Sequence, residues 1–137
     1  MLHLQKLAVG IRDRAHLAAV QAARAASDPP LRHLTRHFPK RAAEILAGGS
    51  LYWVIAGTMR VRQRILGIEA ARRGDGSAGC AIHLDPTLVC VAARPVKAFQ
   101  GWRYFAPALA PPDLAAGLDD EDLPPDLAAA LRALALL

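Results

Sequence analysis

Three arginines stand at alternate positions in Met59-Arg60-Val61-Arg62-Gln63-Arg64-Ile65. On an extended strand successive side chains leave opposite faces, so this spacing predicts Arg60, Arg62 and Arg64 on one face and Met59, Val61 and Ile65 on the other. Guanidiniums this close repel one another unless anions or acids lie between them, and their forked donors fit phosphate oxygens two at a time. Two readings follow. The row tracks the phosphates of a nucleic acid, with the salt sensitivity that implies, or it is the solvated face of a hairpin, paired to Glu69 or Asp75. A second candidate is Trp102-Arg103-Tyr104 after Gln100-Gly101, because aromatic rings beside a cation and a permissive glycine suit a base-stacking platform. A core anchor is the alternative for Trp102, and it is the role read for Trp53. The third is a basic stretch holding Arg36, Lys40 and Arg41 with His33 and His37. Two imidazoles four apart share a helix face and can bind a metal or exchange protons. No carboxylate lies near them in sequence and Pro39 interrupts a helix, so a solvated basic loop accounts for the same residues.

Other chemistries are thinly represented. Neither Ser50 nor Ser77 completes a Gly-x-Ser-x-Gly elbow. Neither a phosphate-binding loop nor a dinucleotide fingerprint is present, so no cofactor is expected. Cys80-x-x-His83 offers one close pair where zinc wants four ligands. Cys80 and Cys90 are therefore read as buried thiols on neighbouring strands, with no metal site.

Charge divides the chain. Residues 1–105 carry 16 Lys and Arg against six Asp and Glu, whereas residues 106–137 carry Arg132 against six acids. A basic body suits a phosphate-rich partner, and the acidic tail could lie across that surface as an internal competitor. The N-terminal residues lack the pattern of a signal peptide and no apolar run reaches the roughly 18 residues of a membrane span. A cytoplasmic chain without membrane contact is expected.

These residues need elements to position them. At 137 residues one domain is the default. Residues 1–107 are read as its core, followed by an acidic Pro-rich linker and a C-terminal helix, 108–137. Leu2, Leu4, Leu7 and Val9 frame a strand over 2–9. Asp13 caps a helix over 14–26, which Asp28-Pro29-Pro30 ends. A basic connection, 31–38, leads to a second helix over 39–47, stopped by Gly48-Gly49. Strands are then predicted over 50–56, 59–70, 80–84 and 87–94, with a hairpin turn at Gly57-Thr58 and an irregular stretch or short strand over 95–105. Asp126 caps a last helix, 127–137, which is too short to stand alone: it docks on the body or on another subunit, the favoured reading, or it frays. The fold class is α+β: a small, mostly antiparallel or mixed sheet curled into a partial barrel, with two flanking helices.

The run from Pro39 through Glu44-Ile-Leu-Ala-Gly-Gly-Ser-Leu-Tyr-Trp-Val-Ile55, with Arg62-Gln-Arg-Ile65 and Phe99-Gln-Gly-Trp-Arg-Tyr104, resembles a bacterial family catalogued as domain of unknown function 1489. The resemblance spans about residues 1–113 and implies no activity. In layout, a helix ending at Gly48-Gly49, a strand with Tyr52-Trp53-Val54 and then Arg64 to Glu69 is similar to the PUA-like group with its EVE and ASCH members. That similarity implies a small pseudobarrel binding RNA or modified bases. The leading expectation is a non-catalytic, RNA-associated nucleic-acid or nucleotide-binding module using Arg60, Arg62, Arg64, Trp102, Arg103, Tyr104, Arg36, Lys40 and Arg41. The alternatives are a small hydrolase of a modified nucleoside, with Ser50, Lys40, Glu44 or Glu69, and an assembly partner docking through its last helix. An enzyme requires arginines and carboxylates converging in one enclosed pocket; a binding module can present them on an open face.

Overall fold

Leu2, Leu4 and Ala8 fall on the two-residue period of a half-buried strand, and all three are buried, Leu4 within β1 (His3–Leu7) and the other two at its ends. The computed structural model describes residues 1–114. Asp13 caps α1 (Arg14–Ser27) as its spacing predicts, accepting the His16 amide at 2.7 Å. Leu17 and Gln21 are the buried positions of this helix. The basic connection differs from the expectation of a loop, because its residues 32–35 form β2 (Arg32–Thr35) on the edge of β5 (Ala78–Leu84). Four residues carry too little periodicity to be seen alone, and the pairing with β5 decides them. The second helix is shorter than predicted, α2 (Ala42–Leu46), and Gly48 at φ 109° ends it. A Cβ on Gly49 would sit 2.0 Å from the Leu2 carbonyl oxygen, so only glycine lets the chain pass that close to β1.

The remaining strands are β3 (Ser50–Ile55), β4 (Thr58–Arg72), β6 (Val89–Pro95) and β7 (Trp102–Phe105). The β3–β4 turn falls at Ala56-Gly57, one residue before the predicted pair, with both φ values positive as a two-residue hairpin requires. Seven strands make one open sheet in the order β2-β5-β4-β3-β1-β7, and β6 pairs with the first half of β4, off this path. Every pairing is antiparallel except β1 with β3, which the α1–β2–α2 crossover connects. The acidic linker beyond 114 and the helix expected over 127–137 lie outside the described residues. Among the described residues no helix is long and apolar enough to cross a membrane.

Two bulges shape β4. Trp53 opposes Val61 while Val54 opposes Met59, which leaves Arg60 as an extra residue; Leu66 is extra in the same way where β4 passes from β3 to β5. The first bulge corrects the predicted alternation. Val61 and Ile65 join the main core with Leu4, Ile45, Leu51 and Trp53, but Met59 joins a second cluster with Tyr52, Val54, Val91 and Phe105. Arg60, Arg62 and Arg64 therefore do not form one unbroken row. The cysteines also differ from expectation: β5 and β6 do not pair with each other, so Cys80 and Cys90 sit on strands that meet different stretches of β4. Neither is in a disulfide; Cys80 is buried and Cys90 half-buried.

A polar knot is buried inside the main core. Gln63, fully buried, accepts from Trp53 Nε1 and from Gln21 Nε2 at 2.8 Å each, and donates to Gln21 Oε1 at 2.7 Å and to the Asp85 carbonyl at 3.0 Å. Every polar group in it has a partner, which is the condition for such a network to hold α1 to the sheet without penalty.

Candidate anion-binding cleft

Lys6 breaks an apolar rhythm. It falls in phase with Leu2, Leu4 and Ala8, so it leaves the sheet on the core face. It stands directly opposite Trp53 on β3 and opposite Trp102 on β7, which puts a cation between two indoles on one face of three adjacent strands. Burial holds the Lys6 ammonium below the usual lysine range.

His33 reaches the same place from β2. Its ring meets the Trp53 ring edge-on at 5.3 Å. Burial first, then the charges of Lys6 and Arg24, lower its pKa to about 4, so the imidazole is neutral at pH 7. Its Nε2 is sealed from solvent and has no hydrogen-bond partner. Lys6 and His33 both line two spaces. One is an open cleft of about 550 Å³ whose other walls include Arg36, His37, Arg73 and Gln100. The other is a smaller cavity of about 140 Å³ under α1, reached by Arg24. No carboxylate lines either space.

Trp102 follows Gly101 and is bonded to His37, both of which line the open cleft. Its Nε1 donates to the His37 carbonyl at 2.8 Å, and its ring meets Tyr104 edge-on at 4.9 Å. The Tyr104 hydroxyl accepts the Arg41 amide at 3.2 Å. These contacts tie β7 to the segment after β2, and both rings are half-buried.

The other sequence-predicted residues are dispersed. Arg36 lines the cleft, and Lys40 is exposed nearby in sequence. The Arg41 side chain pairs with Glu44 at 2.5 Å and lies 5.5 Å from the Tyr104 ring centre. Arg103 stacks over Phe99 at 4.8 Å. Arg62 is held by Asp113 through two bonds of 2.7 Å, Nε to Oδ1 and Nη2 to Oδ2, and its Nη1 donates to Ser50 Oγ at 3.1 Å. The predicted partners were Glu69 or Asp75, but Glu69 instead meets His83 at 2.6 Å and Asp75 accepts from Ser77. Arg60 occupies the bulge, and Arg64 is exposed. Asp113 belongs to a segment that seals the free edge of β6: Ala92 donates to the Pro112 carbonyl and Leu114 to the Cys90 carbonyl, each at 2.9 Å.

The groups named for hydrolysis do not meet. Ser50 is buried beneath Arg62, with its amide bonded to His3 Nδ1 at 2.9 Å; Glu44 and Glu69 pair elsewhere. His33 and His37 share the cleft, but on a strand and the bend after it, not on a helix face. Cys80 points into the core while His83, three residues on, points to Glu69, so they do not converge. Sequence reasoning missed Lys6, Arg24 and Arg73. Lys6 was detectable as a cation in phase with buried leucines; the other two gain their meaning only from the fold.

A family model described as Protein of unknown function (DUF1489) matches residues 4–137. The match continues past residue 113, so it takes in the acidic tail that the sequence resemblance left out. No curated protein and no solved structure matches the chain.

Proposed function

This chain belongs to the family of unknown function that matches it from residue 4 to its end, which supplies no activity, and we propose that it is a non-catalytic module that binds single-stranded nucleic acid, RNA in the first place. One observation carries the reading: the open cleft gathers Lys6, Arg36 and Arg73 with no carboxylate in its lining, beside half-buried Trp102 and Tyr104. Cations that track a backbone next to aromatic surface are the means by which proteins hold unpaired strands. The site has moved from where the arginine spacing put it. Arg62 already has a carboxylate partner and Arg60 is displaced by a bulge, whereas the cleft cations converge on one concavity.

The PUA-like layout supports an RNA partner only by analogy of element order, and a shared layout does not bring a shared function. The hydrolase reading loses ground because Ser50, Lys40, Glu44 and Glu69 line neither the cleft nor the cavity under α1. Docking through the last helix rests on residues outside those described.

The test is anisotropy of a labelled single-stranded RNA, with DNA of the same sequence beside it, over a salt series. Combined Lys6→Gln, Arg36→Gln and Arg73→Gln should weaken binding for every sequence and flatten the salt slope by about 2, at about 0.7 per phosphate contact on a single strand. Arg60→Gln with Arg64→Gln should leave the slope within error of the parent. The reverse pattern would return the site to the β4 arginines, and no RNA or DNA binding at low salt would end the reading.

A further inference from the structure

The small cavity under α1 is lined differently from the open cleft. Leu17, Val20, Leu31, Trp53 and Leu84 supply apolar wall. Its two uncharged polar neighbours are turned away: the Gln21 amide and Trp53 Nε1 are both engaged with Gln63. What remains polar is Lys6, Arg24, Arg32 and His33, of which Arg32 is already paired with Asp28 at 3.2 Å, so Lys6 and Arg24 are the cations left to meet an anion. We propose that this cavity is a separate binding site for a small apolar carboxylate, a ring-sized or branched-chain acid whose body fills the apolar space and whose carboxylate meets Lys6 and Arg24.

Size sets the class. At about 140 Å³ the cavity is close to the roughly 150 Å³ apolar void that accepts a single benzene ring. A base with its sugar and phosphate does not fit inside it. Inorganic phosphate fits but leaves the leucine and valine walls without a partner, and it must shed more hydration than a carboxylate to enter. Charge sets the sign. A half-buried ammonium beside an arginine, with no acid in the lining, is a standing cost that a bound anion offsets. The inference does not rest on nucleic-acid binding, since Val20 and Arg24 belong to this cavity and do not line the open cleft.

The experiment is calorimetric titration of the full chain with benzoate, benzyl alcohol and inorganic phosphate, repeated on Arg24→Gln and Val20→Trp. Benzoate should bind at least tenfold more tightly than either control. Arg24→Gln should remove about tenfold, the order expected for losing one charge-assisted partner. Val20→Trp should abolish binding by filling the cavity. Melting curves monitor folding, and if Val20→Trp does not fold, Arg24→Gln on the exposed end of α1 decides alone. Equal binding of benzoate and benzyl alcohol, a preference for phosphate, or benzoate binding untouched by Arg24→Gln overturns the proposal. RNA binding that survives in the Arg24 and Val20 variants keeps the two sites distinct.

Discussion

Replacing His33 with Phe keeps a ring against Trp53 and removes the ring nitrogens, and with them the ability to take up a proton. In the unfolded chain the imidazole titrates at 6.5, and in the folded protein at about 4. Between those values the unfolded state binds the extra proton, so folding stability rises with pH through this window and is lost as pH falls through it. Worked from the two pKa values, the parent should lose about 2 kcal/mol between pH 7 and pH 5 and about 3 kcal/mol by pH 4 from this residue. Below pH 4 both states are protonated and the loss levels off. His3 contributes in the same direction, because burial and the Arg62 charge also lower its pKa. The informative quantity is therefore a difference. Urea unfolding of parent and His33→Phe, at half-unit steps from pH 7.5 to 4, isolates the His33 share while His3 cancels. The variant should also gain at pH 7, since it no longer buries an unpaired nitrogen. Parallel stability curves for the two proteins would refute the reasoning and place the imidazole in contact with water.

Gln63→Leu should cost about 3 to 5 kcal/mol in urea unfolding at pH 7, since it strands the Gln21 amide and Trp53 Nε1 in the core; a loss under 1 kcal/mol would mean the knot is solvated. Arg62→Gln should cost about 1 kcal/mol, as a half-exposed bidentate pair suggests, and should speed amide exchange at Ala92 and Leu114, which the 112–114 segment protects. Unchanged exchange there would show that the segment holds without its arginine. Gly49→Ala should remove more than about 3 kcal/mol or prevent folding, because the new Cβ meets the carbonyl oxygens of Leu2 and Ile45 at 2.0 and 2.6 Å. A soluble variant with a parent-like melt would show that β1 can give way.

Local chemistry was legible in the chain. Asp13 announces α1, Gly48-Gly49 stops α2, and β-branched and aromatic residues announce β3, because caps, glycines and period are properties of neighbours in sequence. The α+β class and the mostly antiparallel sheet follow from those elements. The candidate site was legible only in its ingredients. Arg36 was singled out and does line the cleft; Arg62 was singled out and is held by Asp113, 51 residues away. That pairing depends on where the chain returns, which no spacing encodes. A one-residue bulge at Arg60 is likewise invisible to period-two counting, yet it moves Met59 to the second cluster and breaks the arginine row. Lys6, His33 and Trp102 come from three strands that are far apart in sequence, and register alone sets Lys6 between two tryptophans. Charge and propensity are carried by single residues, so the sequence determined a basic body and its elements. Convergence depends on strand order and register, so tertiary structure alone decided which cations share a cleft.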